Sequence, residues 1–169
     1  VAGKKQEDMR IGVTGHQRLK DPARWGWVKR EIDRLLASLA PPLIGITSLA
    51  IGADQLFANA VLQRGGSLEV VIPFAGYELT FSEGRDRQEY TQLLEHALRK
   101  EVLQKYGSDE EAYLASGKRM VDRSELLIAV WDGLPATGLG GTGDVVNYAV
   151  QQRKKTIHIN PITQEVEEL

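Results

Sequence analysis

The chain alternates short apolar runs rich in β-branched residues with stretches whose apolar residues recur every three or four positions, separated by glycine or proline. No other feature constrains the fold as tightly. Parallel strands need crossover connections, which are right-handed, so the alternation predicts an α/β domain with a sheet covered on both faces. The expected architecture is a Rossmann-like three-layer αβα fold with a mainly parallel five-stranded sheet in the order 3-2-1-4-5. In that order a ligand crevice opens at the switch point between the first strand and the fourth.

Arg10–Thr14 reads as the first strand, closed by Gly15, and Asp21-Pro22 as the start of a helix bearing the stripe Trp25, Val28, Ile32, Leu35, Leu36 and Leu39. Leu43–Thr47 is the second strand, 51–64 the second helix, stopped by Gly65-Gly66, and Leu68–Ile72 the third strand, ended by Pro73. Residues 74–87 form a polar, glycine-containing segment, longer than most connections and therefore expected to be functional or mobile. Tyr90, Leu93, Leu94, Ala97, Leu98 and Val102 make a helical stripe, and a further helix is expected over 109–123. Leu126–Trp131 is the most continuous apolar run and the expected central strand, with Trp131 in the core. A glycine-rich loop over 132–143, a helix from Asp144 to Gln152 and a last strand, Thr156–Ile159, follow. Residues 1–9 read as a flexible extension and 161–169 as an acidic tail, which leaves one domain over 1–169.

Composition narrows the chemistry. The chain has no cysteine, so disulfides, thiolate nucleophiles and cysteine-rich zinc sites drop out. His96 and His158 lack metal-ligand spacing and read as structural or surface residues, so neither a metal nor a resident cofactor is expected. Hydrophobic residues make up 42% and charged residues 26%, the profile of a soluble globular protein, and no apolar run approaches a membrane span. The first ten residues are polar, without the apolar core of a signal peptide, so cytoplasmic residence is the expectation. A net charge of -2 argues against holding long nucleic acids by phosphate neutralisation.

Three loops at the carboxyl ends of the expected strands carry candidate site residues. Gly15 allows a tight turn beside His16 and Arg18, which can donate hydrogen bonds; a plain turn with a solvated histidine is the alternative. Ser48, Ala50, Gly52, Ala53 and Asp54 join the second strand to its helix, where exposed amides can meet an anion or a ribose, although Asp54 also suits a capping role. The strongest signal is Gly138–Asp144, directly before a helix and close behind the central strand. There the glycines permit amides to converge, Thr142 adds a hydroxyl, and the helix start adds partial positive charge. Pro73, Phe74 and Trp131 can wall a base and Asp132 can face a ribose, while Glu78, Asp86, Arg85 and Arg87 read chiefly as a solvated charge run. Neither the dinucleotide Gly-x-Gly-x-x-Gly pattern nor a Walker lysine motif is present.

Taken together, Gly15-His16, the Ser48-to-Asp54 loop, Pro73-Phe74, Lys118–Asp122 before Leu127–Gly133, and Gly140-Gly141-Thr142 resemble the SLOG superfamily. That group includes the Lonely-guy phosphoribohydrolases, the Rossmann domain of DNA-processing protein A and molybdenum-cofactor carrier-like proteins. The resemblance implies a Rossmann-like fold that binds a nucleotide or nucleotide-derived phosphorylated ligand as a sensor or carrier-like module, with Gly140, Gly141 and Thr142 at the phosphate. The alternative it implies is a phosphoribohydrolase that cleaves the N-glycosidic bond of a nucleoside 5′-monophosphate, with Asp144 and Arg119 as catalytic residues. The loop departs from the Lonely-guy pattern: its nearest acid is Asp144, one methylene shorter than the enzymes' glutamate. The expected partner is a small nucleotide-like molecule, with no nucleic acid and no membrane; family habit adds a homodimer or higher homo-oligomer.

Overall fold

The computed structural model describes residues 7–169. Its strands are β1 (Met9–Gly15), β2 (Leu43–Thr47), β3 (Ser67–Ile72), β4 (Ala97–Val102), β5 (Leu126–Val130), β6 (Lys155–Asn160) and β7 (Glu165–Glu168). The α-helices are α1 (Arg24–Ala37), α2 (Ala53–Gln63), α3 (Arg85–Glu95), α4 (Asp109–Arg123) and α5 (Thr142–Gln151), and a 3-10 turn spans Tyr77–Thr80. The strands form one seven-stranded sheet in the order β4-β3-β2-β1-β5-β6-β7, parallel throughout except for the β6–β7 pair.

Alternation along each strand divides the core between two helical layers. Ile11 and Val13 of β1 with Leu126, Ile128 and Val130 of β5 pack on one face, against Val28 and Ile32 of α1, Phe57 and Val61 of α2 and Tyr90 of α3. Ile44 and Ile46 of β2 with Leu127 of β5 pack on the other, against Met120 and Val121 of α4 and Val145 and Ala149 of α5. Burial on both faces is why β5 is a continuous apolar run rather than an alternating one. Helix α4 begins with a capping box in which the Ser108 hydroxyl and the Glu111 carboxylate each accept the other residue's backbone N–H.

The sheet has seven strands where five were expected. The expected five occupy its interior in the expected relative order, and β4 and β7 are added at the edges. Ala97, Leu98 and Val102 belong to β4, not to the helical stripe that their spacing suggests. Helix α3 stops at Glu95, and the next residues pair with β3, whose outer backbone groups would otherwise lack partners. Most of β4 is exposed, so no alternating apolar signal marks it as a strand. The acidic tail likewise contains β7, exposed along its whole length and held by backbone pairing to β6. At the other end, residues 1–6 of the expected flexible extension lie outside the described residues, and Met9 already belongs to β1.

Smaller differences have local causes. Asp21 starts the turn into α1 by accepting the Ala23 amide at its carboxylate and the Arg24 amide at its carbonyl, but the helix proper begins at Arg24. Helix α5 starts two residues before Asp144. The 74–87 segment is tied down by Phe74, Tyr77 and Phe81, all buried.

Candidate functional site

A cleft of about 730 Å³ opens where the carboxyl ends of β1 and β5 lie side by side and the chain departs in opposite directions along the sheet. His16 ties its walls together. The His16 amide donates to the Val130 carbonyl (3.0 Å), its carbonyl accepts the Ala53 amide (3.1 Å), and its Nε2 accepts the Asp132 amide (3.0 Å). That last bond makes Nε2 an acceptor, so in neutral His16 the ring proton sits on Nδ1. Asp132 in turn accepts the Leu134 amide at Oδ1, which fixes the loop leaving β5.

The β2–α2 connection places a carboxylate in the cleft. Asp54, 6% exposed, accepts the Thr47 hydroxyl (2.9 Å) and the Ser48 amide (3.1 Å) at Oδ2. Burial pushes its pKa up to about 6 even though hydrogen bonds from Thr47, Ser48 and Ala50 pull the other way. The Ser48 and Ser116 hydroxyls, 2.8 Å apart, join this loop to α4.

At the start of α5 the first amides are open. The amides of Gly141, Thr142 and Gly143 make no hydrogen bond among the described residues, and all three residues line the cleft. The Gly140 amide is already used: it donates to Asp144 Oδ2 (2.8 Å). Gly140 has φ +82°, and a Cβ there would lie 2.6 Å from the Glu110 carbonyl oxygen, so only glycine lets the loop seat on α4.

Of the residues singled out from sequence, Gly15, His16, Arg18, Ser48, Ala50, Asp54, Pro73, Asp132, Gly140, Gly141 and Thr142 line the cleft. Gly52, Ala53, Phe74, Asp144 and Arg119 do not. Gly52 (φ +80°) lies beneath the β1 loop, where a Cβ would come within 2.4 Å of the Gln17 carbonyl oxygen, and Ala53 is fully buried behind it. Phe74 packs its ring on Tyr77 and Tyr113, at 5.9 and 5.8 Å between centroids. Asp144 turns its carboxylate onto the loop, and Arg119 turns away to Glu101 of β4 (3.7 Å). Trp131, expected in the core, is half-buried at the cleft and donates its indole N–H to the Leu134 carbonyl (2.8 Å). His158 is buried, its Nε2 2.8 Å from the Trp131 carbonyl oxygen.

Sequence reading missed Tyr77, Thr80, Phe81, Tyr113, Ser116 and Met120, which form the far wall. The signal for the first group was present: Phe74, Tyr77 and Phe81 recur at spacings of three and four within a polar segment. For Tyr113, Ser116 and Met120 the helical spacing was visible, but which face of α4 meets the cleft was not.

The fold is a Rossmann-like domain with a cleft at the switch point. Among solved structures the chain is similar to DNA processing protein A from Helicobacter pylori, a protein with a single-stranded DNA binding mode. That match has a TM-score of 0.63 and 14% identity over 89% of this chain and 64% of that one. It is also similar to DNA processing protein A from Streptococcus pneumoniae (TM-score 0.60, 13% identity, 89% of this chain and 50% of that one). A third likeness is to the molybdenum cofactor binding protein of the phototrophic bacterium Rippkaea orientalis (TM-score 0.58, 17% identity, 92% and 78%). The chain thus spans between half and two thirds of the DNA processing proteins it matches. These neighbours are SLOG proteins, and at such identities the likeness is one of fold. No protein-family model and no curated protein matches the sequence. Among the described residues no helix is long and apolar enough to cross a membrane, and no group of three or more acidic or histidine side chains is arranged to hold a metal.

Proposed function

We propose that the chain binds a phosphorylated nucleotide or nucleotide-derived ligand in this cleft, phosphate at the start of α5, as a sensor or carrier-like module. One observation carries the reading: the amides of Gly141, Thr142 and Gly143 lack protein partners while lining a switch-point cleft of mononucleotide size. The partial positive charge of the helix start favours an anion there, and Ser48, Ser116 and Asp132 offer polar groups to a ribose. Binding without hydrolysis is the better fit to Asp144, whose carboxylate is committed to the Gly140 amide, and to Arg119, which is paired outside the cleft.

Titration calorimetry with AMP, GMP, ribose 5-phosphate and a short single-stranded DNA oligonucleotide tests the reading. Saturable binding of the mononucleotides at one ligand per chain, lost in Gly141→Asp, is the expected result. A folded protein that takes up none of them overturns it, and a preference for the oligonucleotide redirects it to a nucleic-acid partner, as in one fold neighbour. Incubation with AMP followed by chromatography for free base separates binder from hydrolase; no release is expected.

A further inference from the structure

We propose that β4 and β7, the two edges of the sheet, are the two halves of a contact between copies of this chain: β7 of one copy adds to β4 of the next, and the sheet continues across the junction. None of the residues of either edge lines the cleft, so the contact is independent of what the cleft binds.

Both edges have backbone groups to give. The Leu103 amide donates to the Ile72 carbonyl (2.9 Å), so the backbone of Glu101 in β4 faces β3 while that of Lys100 and Val102 points outward. The Leu169 amide donates to the Thr156 carbonyl (2.9 Å), so in β7 Glu165 and Glu167 face β6 while Val166 and Glu168 point outward. None of the outward residues makes a backbone hydrogen bond to another element among the described residues.

Charge sorts the ways in which these edges can meet. Arg99 and Lys100 of β4 are exposed and make no ion pair among the described residues, and Glu101 beside them is held by Arg119 and Arg123 of α4, which leaves this edge basic. β7 is acidic: it carries Glu165, unpaired among the described residues, with Glu167 beside His158 (3.1 Å) and Glu168 beside Lys155 (3.6 Å). One sign on each edge opposes pairing of an edge with its own copy, since like charges opposite each other are destabilising. Opposite signs on the two edges leave the cross-pairing open.

The topology fits that pairing. Strand β4 is parallel to β6 and β7 antiparallel to it, so in a second copy set beside the first in the same orientation β4 runs antiparallel to β7. The register with Lys100 opposite Glu168 matches outward groups with outward groups and sets Val102 opposite Val166, an opposite-charge pair next to an apolar one. Val102 and Val166 are 53% and 47% exposed in the single chain, and the junction covers both. On the other face Glu101 meets Glu167, but Arg119 and Arg123 make the Glu101 corner net positive. The pairing is no longer than β7, four residues, so the contact is weak. Because the two surfaces joined are different, it propagates from copy to copy instead of closing at a two-fold dimer.

Sedimentation velocity over a concentration series tests this with wild type, Arg99→Glu/Lys100→Glu and Glu165→Lys/Glu168→Lys, each shown folded by circular dichroism. At low salt the wild-type mass should rise with concentration past twice that of the chain by about 1 mM, and in about 1 M salt it should fall back toward the monomer. Each variant alone presents one sign of charge on both edges and should stay monomeric. Mixed in equal amounts the two should assemble again, because each edge of one then faces an edge of opposite sign on the other. The proposal is overturned if wild type stays monomeric at the highest concentration or stops at a dimer, if either variant assembles alone as wild type does, or if the mixture does not assemble. The wild-type series decides by itself should a variant fail to fold.

Discussion

Helices α2 and α5 both start at the cleft with a glycine N-cap and an aspartate in the first turn, but the two starts are finished in opposite ways. At α2 the Ala53 and Gln55 amides go to the His16 and Ala50 carbonyls, and Asp54 folds back onto Thr47 and Ser48. At α5 the aspartate lies one position later in the helix and reaches back to Gly140, which leaves the first amides open. Similar composition thus yields a structural joint at one helix and unpartnered amides at the other.

The largest effect that could break this contrast is expected from Gly141→Asp. The new carboxylate would stand at the open amides, and its Cβ would lie 2.8 Å from Ala136 Cβ, so AMP affinity should fall by about a hundredfold or more in calorimetry. Retained affinity would show that the phosphate lies elsewhere.

Asp54→Asn comes next and reports on stability. With its pKa raised from the ordinary 3.8 to about 6, Asp54 is most favourable to the fold when protonated, and that contribution is lost as pH rises through about 6. Asparagine keeps an acceptor for Thr47 and Ser48 without the charge. Denaturant unfolding at pH 7.5 should find the variant more stable by on the order of 3 kcal/mol, an upper figure, with the gap closing toward roughly pH 4. A gap that instead widens in acid would mean that the carboxylate is stabilised in its ionised form.

Asp144→Ala should cost about 1 kcal/mol of stability through the lost Gly140 bond while leaving AMP affinity within about threefold, because its carboxylate addresses the loop rather than the ligand. A collapse of affinity there would make the two helix starts alike. The smallest effect belongs to Arg119→Ala. Removing an exposed partner of Glu101 outside the cleft should change stability by less than about 0.5 kcal/mol and AMP affinity not at all. Any base-releasing activity that this variant abolished would restore the hydrolase reading.

Much of this was legible before any coordinates. The central strand announced itself because a strand buried on both faces must be apolar throughout, and α4 lies where a helix was expected over 109–123. The edge strands were not legible, since β4 and β7 owe their state to backbone pairing with a neighbour rather than to side-chain pattern. The same distinction runs through the cleft. Gly140, Gly141 and Thr142, singled out as small residues in consecutive positions before a helix, line the cleft. Tyr77 and Tyr113, 36 positions apart in the chain, were not, because nothing local records that their rings meet.

The sequence by itself determined the layered α/β architecture, the burial of the central strands and the presence of a glycine-rich helix start, all of which follow from short-range periodicity and backbone freedom. Tertiary structure alone decided that Asp54 lines the cleft and Asp144 does not, why Arg119 turns away, and which aromatic rings form the far wall. Hydrophobic pattern specifies which face of an element is buried but not which element it is buried against, and the chemistry of a site lies in that second choice.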